Sequence, residues 1–256
     1  MLKRFGILVM LLSITVLTSG CLTAANPNNP LPINPETGGI WDKYFVFPFK
    51  WLLMECADLF SGNYGLAIVA VTLLVRFLIL PLMMKQLKSS KRMQELQPEL
   101  TKIRDKYKND PQKAQQEMIK LYQVHNVNPL SGCLPILVQM PILIAFYHAI
   151  VRTEQIRSHD FLWLQLGKAD PFFILPIVAA ITTYLQQWIT MRKSPSMMEN
   201  PQMKMMLYAM PIMILVFAIT LPSALSLYWV IGNLFSIVQT YFIYRDTAPK
   251  GGTVNE

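Results

Sequence analysis

The sequence predicts an all-α integral membrane protein: five transmembrane helices, an amphipathic helix in the outer interface and a helical hairpin in the cytoplasm. Three observations carry this. Of 256 residues, 53% are hydrophobic and only 15% charged, where soluble domains average about 45–50% and about 25%. The apolar residues gather into runs long enough to cross about 30 Å of hydrocarbon. The 23 basic residues outnumber the 15 acidic ones and are distributed unevenly along the chain. This composition excludes a disordered or collagen-like chain. The net charge of +8 would suit a nucleic-acid binder, but a mean hydropathy of +0.34 leaves too little polar surface for an ordinary one.

The first segment reads as an address. Lys3 and Arg4 precede an apolar run from Phe5 to Leu17, followed by Thr18-Ser19-Gly20-Cys21. A basic start, a short apolar core and small residues describe a signal peptide over 1–20. The cysteine directly after them points to a lipoprotein signal, with Cys21 lipidated. Thr18 stands where such signals usually carry Leu, and an uncleaved signal anchor is the other reading. Residues 21–40 are rich in Pro and Asn and read as a flexible outer tether.

The spans follow as 64–84, 132–151 and 171–190, and then an apolar stretch of 38 residues over 207–244. A single helix of that length would reach about 57 Å at 1.5 Å per residue, nearly twice the hydrocarbon thickness. It must fold back, and Leu221-Pro222-Ser223 is the natural break, giving spans 207–221 and 225–244. The core therefore covers 61–245, with a short tail over 246–256. Residues 41–60 carry Asp42, Lys43, Lys50, Glu55 and Asp58 among aromatics and are too charged to cross. Trp41, Phe45, Phe49, Leu52 and Leu59 can share one face. This gives either an amphipathic helix in the outer interface or a cap helix packed on the bundle ends.

Charge sets the orientation. Residues 85–131 hold ten basic against five acidic residues. With the 191–206 loop and the tail, fifteen basic residues fall on that side. Five, Lys43, Lys50, Arg152, Arg157 and Lys168, fall on the other. The positive-inside rule places 85–131 in the cytoplasm and the mature N-terminus outside. Within 85–131, Leu96, Leu100, Ile103 and Tyr107 recur at helical spacing. Asn109-Asp110-Pro111 supplies a cap with proline at the first helical position. A second helix over about 111–124 completes an antiparallel hairpin. Its charge is a solvated anchoring face or a docking surface.

Chemistry-bearing motifs are scarce. Cys21, Cys56 and Cys133 form no disulfide framework, and no clustered Cys/His spacing suggests a metal. No nucleophile–base pair, phosphate loop or paired carboxylates stand out, so the chain reads as a non-enzyme without cofactor. The informative residue is Arg76, near the centre of the first span. An arginine there costs about 2.5–3.5 kcal/mol on insertion scales. The five spans contain no Asp or Glu to pair with it. It must face water or a hydrogen-bonded cavity. Polar residues recur in the other spans: Thr72 one turn before Arg76, Gln139, Thr182 with Gln186 and Thr190, and Thr183 with Gln187. Ser226, Trp229, Asn233, Ser236 and Thr240 step along one face of the last span. Singly, such residues are interhelical glue; together with Arg76 they describe a wet cavity inside the bilayer.

NPLSGCLPILVQMPILIAFY (128–147), the span around Arg76 leading into Leu80-Pro81-Leu82, and LPSALSLYWVIGNLFSIVQ (221–239) resemble the YidC/Oxa family of membrane protein insertases, in its Gram-positive form. The resemblance covers about 41–245. It implies a five-helix core with a hydrophilic groove open to the cytoplasm and to lipid, in the cell membrane. The family's groove arginine matches Arg76, its polar positions match Gln139, Gln187, Trp229 and Asn233, and its substrate-contacting tyrosine matches Tyr228. Implied partners are nascent membrane proteins with acidic outer segments and membrane lipids. The Sec translocon, the signal recognition particle pathway and the ribosome are further candidates, and the protein would act as a monomer. The short tail departs from members that bind ribosomes through a long basic one. An assembly scaffold acting with Sec, and an anion channel or transporter, are the rival readings.

Overall fold

The structure, a computed structural model, describes residues 32–36, 39–125, 127, 134–192 and 201–246. The signal peptide, Cys21 and the last ten residues lie outside these. A helical turn, Gly39–Trp41, and a π-helical stretch, Asp42–Val46, lead into α1, Phe47–Leu59. Then follow α2, Tyr64–Glu95; α3, Gln97–Lys106; α4, Pro111–Val124; and α5, Leu134–Val151. A short helix α6, Glu154–Arg157, precedes the two-residue strands β1, Asp160–Phe161, and β2, Leu164–Gln165. The chain continues as α7, Ile174–Arg192; α8, Pro201–Thr220; and α9, Ser223–Asp246. The fold is thus mostly helical. Tyr64–Lys85 and Ile174–Arg192 are long and apolar enough to cross a membrane, and Val138–Val151 and Lys204–Thr220 are shorter apolar helices.

The residues divide into two compact units. One comprises the chain up to Val71, Val138–Pro171 and Leu221–Leu225; the other comprises Thr72–Leu137, Phe172–Thr220 and Ser226 onward. In the first, Val46, Leu53 and Ala57 are buried, as are Ala67, Ile68 and Val71 of α2 and Ala145, Phe146, Ala149 and Ile150 of α5. Phe49 meets the edge of Phe146 at 6.0 Å. Within the 39–59 helix, Trp41, Phe49 and Leu52 are half-buried and Phe45 is exposed. Leu59 is 81% exposed, as are Ile40, Tyr44 and Trp51 in large part, while Asp42 is buried.

Residues 32–36 also differ from a free tether. The Pro32 carbonyl accepts a hydrogen bond from Arg152 Nη2 at 3.1 Å, and Ile33 is buried. The 152–170 segment carries the short helix α6 and a β-hairpin. β1 and β2 pair antiparallel, with Phe161 opposite Leu164, and Leu162 takes a positive φ of 58° at the turn. The start of α9 holds this hairpin. Ser223 Oγ donates to the Gln165 carbonyl at 2.9 Å, and the amides of Ser223 and Ala224 donate to the carbonyls of Lys168 and Leu166. Gly65 of α2 is the small residue this packing requires, because a Cβ there would overlap the Phe161 ring.

In the second unit, α2 runs on past Lys85 to Glu95, because no glycine or proline interrupts it between Pro81 and Pro98. Pro98 then sits in the first turn of α3. Asp110 caps α4, its side chain accepting from the Lys113 amide at 3.0 Å, with Pro111 at the first helical position. Leu96, Leu100 and Val127 form a small buried cluster with Met93, Met118, Leu121 and Tyr122 against it. α7 and α8 pack against each other, Tyr184 and Tyr208 lying 6.1 Å apart. α8 ends at Thr220 and α9 begins at Ser223, so the predicted break at Leu221-Pro222 is present.

Candidate functional site: a polar layer around Arg76

The second unit gathers most of the candidate residues onto α2, α7 and α9. Asn233 is the centre of a direct interhelical bond. Its Nδ2 donates to Thr183 Oγ1 at 2.8 Å and to Thr182 Oγ1 at 3.2 Å. Each threonine hydroxyl in turn donates to its own helix: Thr182 to the carbonyls of Val178 and Ala179, and Thr183 to Ala179 at 2.7 Å. Every hydroxyl therefore acts as both donor and acceptor, which is how a polar group is carried at low cost in an apolar setting. Thr182 and Thr183 are buried and Asn233 is half-buried. Part of the predicted lining thus faces its neighbouring helix.

Two further residues of the α9 stripe bond within their own helix. Ser236 Oγ donates to the Gly232 carbonyl at 2.8 Å and Thr240 Oγ1 to the Ser236 carbonyl at 2.7 Å. On α7, Thr190 Oγ1 donates to the Gln186 carbonyl at 2.9 Å. This back-bonding is the usual refuge of a hydroxyl inside a helix. Among the stripe residues, Asn233 is the one whose side chain reaches α7. Ser226 Oγ is buried with no hydrogen-bond partner.

Arg76 lies against α9. Its Nη2 sits so close to Gly232 that a Cβ on that residue would overlap it. One residue on, Phe77 meets Phe235 edge-on at 5.0 Å. Arg76 Nε is buried and has no hydrogen-bond partner, and Arg76 makes no ion pair among the described residues. A buried N–H of a cation without an acceptor is costly, and it sets Arg76 apart from the threonine and serine hydroxyls, which bond within their own helices.

The other predicted residues are placed as follows. Thr72 is buried one turn before Arg76; Gln187 and Trp229 are half-buried. Gln139 is half-buried on α5, in the other unit. Tyr228 is only 2% exposed. A tyrosine so covered offers no open surface to a passing helix, so contact with one requires its neighbours to move.

The sequence profile of the 60Kd inner membrane protein family matches residues 56–250. The membrane protein insertase YidC 2 of Bacillus anthracis is 55% identical over 247 residues, covering 95% of this chain and 94% of that protein. The chain belongs to this family. A further relative is the membrane protein insertase MisCA of Bacillus subtilis (strain 168), 52% identical over 94% of this chain and 91% of its own. Among solved structures, that of an active YidC insertase with its first transmembrane domain resolved superposes with a TM-score of 0.63 at 29% identity. It covers 81% of this chain, which spans about half, 48%, of that protein.

Within this family member, sequence reasoning missed two features of the site. Thr182 stood in a polar stripe but not as the second acceptor of Asn233. Gly232 was not among the candidate residues. Its one legible signal was a glycine in mid-helix beside a polar Asn, a costly choice unless something approaches closely.

Proposed function

We propose that the chain is a membrane protein insertase in the cell membrane, and that Arg76 recruits its substrates. The observation that carries this is the buried Nε of Arg76 without an acceptor, within the apolar segment Tyr64–Lys85 of α2. Membership of a family whose relatives are named insertases supports it.

The mechanism follows from elementary electrostatics. A substrate with an acidic outer segment approaches from the cytoplasm. Arg76 attracts that segment in a medium where a charge acts over a longer reach than in water. Thr72, Gln187, Trp229 and Asn233 offer polar partners to backbone groups that lipid would leave unsatisfied at several kcal/mol each. The apolar part of the substrate then partitions into the bilayer, and hydrophobic transfer drives the step without a nucleotide. In this reading the five apolar helices span the membrane, 39–59 lies at the outer surface, and the basic 85–124 region faces the cytoplasm. Cys21 carries a lipid anchor, and insertion proceeds without the Sec translocon.

The test is insertion of a single-span protein with an acidic N-terminal segment into Sec-free liposomes carrying wild type or Arg76→Ala. Wild type should insert it and the variant should fail while remaining folded. Equal insertion by both would remove Arg76 from the mechanism. No insertion by either would favour a scaffold acting with Sec.

A further inference from the structure

We propose that Gly232 is a positioning residue for the Arg76 guanidinium, a notch in α9 that seats the charge without neutralising it. The proposal rests on the reading of Arg76 as the substrate-recruiting charge.

Gly232 is buried inside the regular helix Ser223–Asp246 and does not take a positive φ. Its own backbone therefore does not call for glycine, and glycine in mid-helix is destabilising relative to alanine. What calls for it is space. A Cβ at this position would overlap Arg76 Nη2 and stand 3.2 Å from both Cζ and Nε. Nη2, Cζ and Nε, not the tip alone, lie close against the helix backbone.

A helical carbonyl accepts one N–H from the residue four positions on and keeps a second lone pair, which a nearby guanidinium would normally take. At Gly232 that site is used by Ser236 Oγ, at 2.8 Å. Arg76 thus lies beside the helix without a bond to this carbonyl, and its Nε has no partner. Gly232 admits the cation, and Ser236 Oγ occupies the second lone pair of the Gly232 carbonyl. The charge stays fixed in place and available to a substrate carboxylate.

The experiment uses the full-length protein in liposomes and two versions of one single-span substrate, with an acidic or a neutral outer segment. The readout is the preference, the ratio of acidic to neutral insertion, for wild type, Gly232→Ala, Gly232→Ser, Arg76→Ala and the double variant Gly232→Ala/Arg76→Ala. Gly232→Ala and Gly232→Ser should each lower the preference several-fold towards that of Arg76→Ala. The double variant should be no lower than Arg76→Ala alone. The Arg76 Nε resonance should shift in both glycine variants, which reports the displacement independently of activity. A loss shared equally by both substrates, with the ratio unchanged, would make Gly232 an ordinary packing residue and leave the recruiting role of Arg76 intact. An unshifted resonance would overturn the notch. If Arg76→Ala itself kept the wild-type preference, the recruiting reading would fall and this proposal with it.

Discussion

Arg152 and Asp42, 110 residues apart in the chain, meet through two hydrogen bonds of 2.7 and 2.6 Å. Both side chains are buried, at 9% and 8% exposure. The same guanidinium donates to the Pro32 carbonyl at 3.1 Å and lies 3.5 Å from His148 Nδ1. One arginine fork thus ties residues 32–36 and the start of the 39–59 helix to the end of α5.

Removing one partner of this pair leaves the other buried and charged. Such losses cost about 3–5 kcal/mol, whereas replacing both partners by apolar groups is often neutral. Arg152→Ala and Asp42→Asn should each lower the unfolding midpoint of the protein in detergent by several degrees. The double variant Asp42→Leu/Arg152→Met should recover most of the loss. Single variants that melt like wild type would show the pair to be solvated in practice.

The interhelical bond of Asn233 makes a smaller prediction. Hydrogen bonds between membrane helices average about 0.6 kcal/mol and reach about 1.7. In a double-mutant cycle, Asn233→Ala and Thr183→Val should couple by about that amount. Thr182→Val should couple more weakly, because its bond to Asn233 is the longer, 3.2 against 2.8 Å. Zero coupling for both would mean that Asn233 faces water instead.

How much of this was legible in the sequence depends on the range of the interaction. The break before Ser223 and the capped start of α4 at Asp110 are local signals, since proline and an Asx cap act on their own neighbours. Arg76 was legible because a charge in an apolar run is an anomaly at any range. The Asp42–Arg152 pair was not, for both residues read as ordinary outer charges and only tertiary packing joins them. The 160–165 hairpin was hidden because its turn carries Leu162 where glycine or asparagine would have announced a positive φ.

The cap at Asp110 predicts a local effect. Loss of an N-cap costs about 1 kcal/mol, and the cluster of Leu96, Leu100 and Val127 beneath α3 and α4 is small. Asp110→Ala should speed amide exchange several-fold in the first turns of α4, measured by hydrogen–deuterium exchange, and leave α7 and α9 unchanged. Unaltered exchange at Gln112 to Gln115 would show that packing alone holds the helix.

Cys56 tests the environment of α1. It is a free cysteine, half-buried, and burial pushes its thiol above the usual range, with the neighbouring Glu55 carboxylate adding to the effect. Both favour the neutral thiol, and the thiolate is the reactive species. The pH profile of alkylation at Cys56 should therefore rise at higher pH than that of a free cysteine. Glu55→Gln should move it part of the way back, since desolvation is the larger cause. Alkylation as fast as that of an unfolded control at neutral pH would place this face of α1 in water and contradict its packing.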